Sequence, residues 1–290
     1  MKKMMMMALA AAMICGCEKP VLDAGGEEEV AMPELPHKKF TFTVKGDFGA
    51  ATFTRGYLTA DGQEMKDLWV FDYVGDECVQ TLHQTVSDPD WGQPKLSLAY
   101  GSHHVYFVAS RGDGASLDAD GHTITWTGPR DTFWKDYSVD VVSTSNGNRA
   151  VTLDRVATKF KAVINDEVPA ECKAVVVTPE RWYYGWDYVS GAPVAMQQTD
   201  RTVEVPASYV GTSGELMVSI FGLSGANEWV TNVAVKAVDG DGHVLGSASI
   251  TGAPFKANRA TQYSGNLFGS AGDLDVSVNA NWEAAKTGTW

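Results

Sequence analysis

From Phe40 onward the chain alternates. Phe40, Phe42 and Val44 interleave with Thr41, Thr43 and Lys45, and a period of two puts one face of a β-strand in a core and the other in water. Ala51 and Phe53 repeat the pattern with Thr52 and Thr54 before Arg55-Gly56. Short apolar runs then recur between turn signals: 68–74, 105–109, 139–142, 175–177, 203–205, 216–221, 230–238 and 244–250. Residues 151–164 read as one long strand with a break near Asp154. Asp61-Gly62, Asn146-Gly147, Asp239-Gly240 and Asp241-Gly242 read as hairpin dipeptides, because glycine tolerates the positive φ such turns require. No long amphipathic helix is apparent. Many short strands at this spacing predict an all-β chain of β-sandwiches, with a boundary near 145–150, where Ser145-Asn146-Gly147-Asn148 has loop composition. The last segment is the most regular. Leu274, Val276, Val278, Ala280 and Trp282 alternate with Asp275, Ser277, Asn279 and Asn281, and at about 3.3 Å per residue such a strand crosses a sandwich.

Composition narrows the picture. The 290 residues permit two domains of ordinary size, and 44% apolar content is enough to build their cores. A net charge of −13 makes nucleic acid and anionic membrane poor partners. Residues 18–38 hold Glu27-Glu28-Glu29, Gly25-Gly26 and three prolines without periodicity, the composition of a tether. Beyond Cys15 and Cys17 only Cys78 and Cys172 remain, which favours two buried free thiols over a disulfide framework.

No catalytic constellation stands out, and neither an enzyme nor a cofactor or metal site is expected. His103 and His104 are neighbours, and neighbours on a strand point to opposite faces. Gly211-Thr212-Ser213-Gly214-Glu215 has Glu where a nucleophile elbow needs Gly. Asp118-Ala119-Asp120-Gly121 is half a calcium loop without the distal Glu and reads better as a hairpin turn. Arg111-Gly112-Asp113 matches an adhesion tripeptide, a match short enough to arise by chance. The run from Arg181 to Tyr188 puts five aromatics in eight positions. Trp182, Tyr184 and Trp186 could form a stacking platform for a glycan; the preferred reading has the run filling a core and its edge.

Lys2 and Lys3 precede an apolar run from Met4 to Ile14, too short to span a membrane and suited to a cleaved signal over residues 1–16. Ile14-Cys15-Gly16-Cys17 resembles a bacterial lipobox. That resemblance implies lipidation of Cys17 and export, with the lipid attaching the precursor to the outer membrane.

Four places together resemble the fimbrillin superfamily, the subunits of type V pili of Bacteroidales. They are the lipobox with its acidic tether; Phe40 to Val44 leading to Thr54-Arg55 and then Leu68 to Asp72; Leu153 to Ala157 with Lys159; and Leu274 to Trp282 followed by Thr289-Trp290. The resemblance covers the chain from about residue 17. It implies two tandem transthyretin-like β-sandwiches and assembly by strand exchange. The expected organisation is a signal at 1–16, a tether at 17–38, a propeptide strand at 39–55, sandwiches at 56–148 and 149–272, and a donor strand at 273–290.

On this reading an arginine-specific protease cuts between Arg55 and Gly56, releases the first strand and opens an apolar groove. The terminal strand of a neighbour, through Leu274, Val276, Val278, Ala280 and Trp282, then enters by β-augmentation. Cleavage removes 7 basic and 7 acidic residues and leaves the net charge at −13. The expected partners are other pilus subunits and a host or bacterial surface ligand, and the expected place is the outer membrane and cell surface. The alternatives are a lipid-retaining anchor or accessory subunit of the pilus, and a surface glycan-binding lipoprotein that uses the aromatic run.

Overall fold

A computed structural model of the chain describes residues 35–46, 59–60, 63–268 and 275–279. The first half carries β1 (His37–Gly46), the short pair β2 (Thr59–Ala60) and β3 (Gln63–Glu64), β4 (Asp67–Val74), β5 (Glu77–Thr85), β6 (Lys95–Ala99), β7 (Gly101–Ser110), β8 (Asp113–Leu117), β9 (Thr123–Gly128), β10 (Thr132–Val141) and β11 (Asn148–Arg155). The second half carries β12 (Ala157–Ile164), β13 (Ala174–Pro179), β14 (Trp182–Asp187), β15 (Ala192–Gln197), β16 (Arg201–Glu204), β17 (Leu216–Leu223), β18 (Trp229–Val238), β19 (Val244–Phe255), β20 (Arg259–Gly265) and β21 (Asp275–Asn279). Among the described residues the one helical element is a 3₁₀ turn at Ala207–Tyr209. These strands belong to one compact unit that begins at Leu35.

In the first sandwich the strands run in the order β5-β4-β7-β10-β11-β1-β6. β11 joins the two layers. Its first six residues pair in parallel with β1, and its last two, Asp154 and Arg155, pair with Trp134 and Phe133 of β10. Between the layers lies a core of Phe40, Phe42, Val44, Leu68, Val70, Val105, Phe107 and Leu153, all shielded from solvent. The alternation read in 40–44 holds: all three apolar residues of that stretch are fully buried.

The second sandwich repeats this plan. The order β16-β13-β18-β19 mirrors β5-β4-β7-β10, and β17-β12-β20 mirrors β6-β1-β11. In both sandwiches the opening strand pairs in parallel with a closing strand, β1 with β11 and β12 with β20. β21 adds to the free side of β20, antiparallel, with Thr261 opposite Val278 and Tyr263 opposite Val276. The core between these layers includes Phe160, Val175, Val177, Trp182, Val218, Val235 and Phe255.

Two hairpins interrupt the repeat. β8 and β9 lie between β7 and β10, and β14 and β15 lie between β13 and β16. They join in one sheet, β15-β14-β9-β8, through Gly185 opposite Thr125 and Trp186 opposite Ile124. This shared sheet covers the outer face of the first sandwich, where Phe71 and Tyr73 of β4 and Tyr106 and Val108 of β7 pack with Ile124, Trp126, Trp186 and Tyr188. β4 and β7 are therefore apolar on both faces, the signature of a doubly covered strand.

Two readings shift. Residues 151–164 are two strands, and the break falls at Val156; β11 belongs to the first sandwich and β12 opens the second. The change of sandwich thus comes after Arg155, whereas a boundary at 148/149 would detach β11 from its parallel partner β1. Asn146-Gly147 is not a hairpin turn either. It leads β11 alongside β1, and glycine is required because a Cβ at 147 would sit 2.5 Å from the Lys39 carbonyl oxygen.

Candidate assembly site

Strand exchange needs a strand that can leave, a slot, and a strand to fill it. β1 lies between β6 and β11 and is paired on both edges. His37 to Thr41 face Ala99 to Lys95, and Thr41 to Gly46 face Asn148 to Leu153. Beyond the β6 ladder, the Phe42 N–H donates to the Pro94 carbonyl at 3.0 Å and the Val44 N–H to Gly92 at 2.9 Å. The Phe42 ring meets Phe107 at 5.3 Å and Tyr137 at 5.8 Å, both edge-on, and the Arg149 guanidinium lies 5.5 Å from the Phe40 ring. Two buried phenylalanines and a valine at about 1.5–3 kcal/mol each give the strand roughly 5–9 kcal/mol of hydrophobic stabilisation before ordering costs. Its loss would leave a long apolar slot between two unpaired strand edges. Arg55 and Gly56 lie outside the described residues, as do Cys17, Leu274, Ala280 and Trp282.

The terminal strand is engaged in its own chain. Among the described residues, 275–279, which include Val276 and Val278, pair with β20 along one side, at the edge of the second sandwich. A strand in that position is held by a single ladder, and to serve a neighbour it has to leave that edge.

The aromatic run divides between two cores. Trp182 is 1% exposed in the second sandwich, where its indole N–H donates to the Phe221 carbonyl at 2.8 Å. Trp186 is 1% exposed under the shared sheet, edge-on to Trp134 at 5.8 Å. Tyr188 is fully buried and stacks on Phe71 at 3.9 Å; burial raises its phenol pKa, and its hydroxyl donates to the Gly121 carbonyl. Tyr184 is half-buried. Burial of both indoles is at odds with a glycan platform of Trp182, Tyr184 and Trp186: Trp182 fills the core of the second sandwich and Trp186 the core under the shared sheet.

Two buried ionic groups had no sequence signal. Asp72 of β4 and His103 of β7 pair at 2.7 Å inside the first sandwich, and His103 Nε2 lies 2.9 Å from the Ala99 carbonyl. A carbonyl only accepts, so Nε2 carries a proton and Nδ1 is engaged with the Asp72 carboxylate. Burial pushes the Asp72 pKa up, and the bond to His103 offsets part of that rise. Ala99 is also the register partner of His37 in β1, so this pair sits at the end of the slot. The second group locks the junction. Arg155 donates to both Asp131 oxygens at 2.7 and 3.1 Å and to Asn258 Oδ1 of the second sandwich at 3.1 Å. The nearest sequence hint was the break expected at Asp154.

The smaller motifs resolve as local structure. His103 is buried and His104 exposed on Asp136, on opposite faces as the strand requires. In Arg111-Gly112-Asp113, Arg111 lies 3.8 Å from Asp131, and a Cβ at Gly112 would sit 2.5 Å from the Trp126 ring. Residues 118–121 close the β8–β9 hairpin, where the Asp120 carboxylate accepts from the His122 and Thr123 N–H groups at 3.0 Å each, which lowers its pKa. Cys172 is buried and Cys78 is exposed; both are free, so the expectation of two buried thiols holds for one. Asp239, Asp241 and His243 bring ligand atoms within 4.8 Å of one another, but their hydrogen bonds are those of the β18–β19 turn.

No protein-family model matches the chain, and no curated protein matches it. Solved structures match its fold. A candidate adhesin from Bacteroides ovatus aligns at a TM-score of 0.51 over 85% of this chain and 95% of its own, with 13% identity. A candidate polysaccharide-binding protein from Bacteroides thetaiotaomicron aligns at 0.51 over 85% and 99%, with 7% identity. The likeness is one of fold. It extends over both sandwiches.

Proposed function

We propose that this chain is a structural subunit of a cell-surface type V pilus, made as a lipoprotein precursor, cut after Arg55 and joined to its neighbours by strand exchange in support of adhesion. The observation that carries the reading is the place of β1. It is an opening strand, it lies in the middle of its layer, and every apolar residue from Phe40 to Val44 is buried. Peptide-bond cleavage beyond Gly46 makes β1 a separate segment held only by non-covalent contacts. The slot it would vacate presents backbone groups of β6 and β11 and an apolar floor, which a second one-sided strand can satisfy. Residues 274–282 have the matching period.

Intact mass of the protein purified from the cell surface tests this. A chain starting at Gly56 is expected. An acylated Cys17 would mean a lipid-retaining anchor subunit instead. Arg55→Ala should leave a lipid-bearing precursor that does not polymerise, and normal fibres from that variant would sink the cleavage step.

A further inference from the structure

We propose that Asp72 and His103 form a proton-held bolt across the open flank of the first sandwich. While the two share a proton they pin the end of β6 to the opposite layer, and they release it as pH rises. Only the bearing of the bolt on assembly rests on the strand-exchange reading; the bolt itself belongs to the uncut chain.

β5 and β6 end the strand order of the first sandwich, so among the described residues no strand lies beyond either. They edge opposite layers, and the flank between them opens into a cavity of about 750 Å³. Asp72 and His103 line its floor, 1% and 2% exposed, on diagonal positions of β4 and β7. Ala99 ends β6. The next residue, Tyr100, donates its N–H to the Pro36 carbonyl at 2.8 Å. Ladder bonds alternate along an antiparallel pair, so the Ala99 carbonyl turns away from His37 toward the free edge. His103 Nε2 meets it there at 2.9 Å. One imidazole therefore joins β6 to the layer that carries β4 and β7. β6 is one of the two ladders that hold β1, so a loose β6 end frees β1 from His37 inward.

The two bonds fix the number of protons. The Ala99 carbonyl only accepts, so Nε2 carries one. Nδ1 and Asp72 Oδ1 stand 2.7 Å apart, and a second lies between them. Whichever atom holds that second proton, the pair as a whole is neutral. Its removal leaves a buried negative charge and sets lone pair against lone pair, either at Asp72 or at Ala99. One of the two bonds is then lost. Burial raises the Asp72 pKa, and the bond to His103 offsets part of that rise. The stabilisation is full below the ordinary aspartate range and is lost as pH climbs through the elevated value. The surroundings offer no replacement charge. Gln80 of β5 lies opposite Asp72, Val139 of β10 lies opposite His103, and Ser97 of β6 lines the cavity. His37 of β1 is the other titratable group on that wall, and it is exposed.

The test is hydrogen exchange of the full chain read by mass spectrometry, corrected for the intrinsic pH dependence of exchange, from acid to mildly alkaline buffer. Wild-type amides in 37–41 and 95–100 should lose protection by about tenfold or more as pH rises, while 105–109 in the centre of the sandwich stay protected. Asp72→Asn should hold the same amides within about twofold, because its amide donates to Nδ1 without an extra proton and leaves the Nε2–H on Ala99. If that variant fails to fold, His103→Gln keeps an N–H for Ala99 on a side chain that does not titrate, and should be equally flat. A wild-type profile as flat as the variant, a variant that loosens in parallel with wild type, or a loss spread evenly over 105–109 would each overturn the proposal. Normal fibres from Arg55→Ala would end the cleavage reading and leave the bolt standing.

Discussion

Trp186→Ala tests whether the shared sheet holds the two sandwiches together. Trp186 is 1% exposed, pairs across the strands with Ile124 and packs with Phe71, Tyr188 and Leu223. Truncating a buried tryptophan to alanine costs about 3–5 kcal/mol through lost transfer energy and the cavity left behind. The indole N–H here is buried with no partner among the described residues, which by itself costs on the order of 1–3 kcal/mol. Trp186→Phe removes that N–H while keeping most of the ring, so it should stay within about 1.5 kcal/mol of wild type. Urea unfolding followed by far-UV circular dichroism separates the two. With a slope near 3 kcal/mol per molar, alanine should lower the midpoint by roughly 1–1.7 M, and phenylalanine by about 0.5 M or less. An unchanged midpoint for alanine would mean that the seam contributes nothing. Phenylalanine as damaging as alanine would mean that the indole N–H is bonded after all.

Deleting 273–290 should leave a cooperative, near-native melt in a monomer that cannot extend a fibre, because among the described residues β21 is held by one ladder; a collapsed melt would refute this. Val276→Asp should block fibre growth in the same polymerisation assay, since an unpaired charge in an apolar slot costs several kcal/mol, while Asn279→Asp should be mild. Asp72→Asn should gain on wild type as pH rises. The Asp72 pKa is raised in the fold, so its contribution is full below the ordinary aspartate value and lost as pH rises through the elevated one. Melts of both proteins across the acid range check the sign, and a difference moving the other way would refute it. Arg155→Met should cost about 3–5 kcal/mol by leaving Asp131 buried without its main partner; a change below 1 kcal/mol in urea unfolding would show that the clamp is idle.

Periodicity in the chain was enough to read the strand class, the burial of Phe40, Phe42 and Val44, and opposite directions for His103 and His104, because a strand encodes its faces locally at period two. β5, β8 and β15 escaped that reading, since their burial is partial and their apolar signal weak. The apolar residues on both faces of β4, with Leu68 and Val70 against Phe71 and Tyr73, and of β7, with Val105 and Phe107 against Tyr106 and Val108, were visible signs that a second layer lay outside the first. The sequence by itself determined which faces want burial. Only the tertiary structure decided which partner buries them: β11 with β1 rather than with the second domain, and Trp186 under a sheet built by two distant hairpins. Those partners lie tens of residues to more than a hundred apart in the chain, and no local period carries that distance.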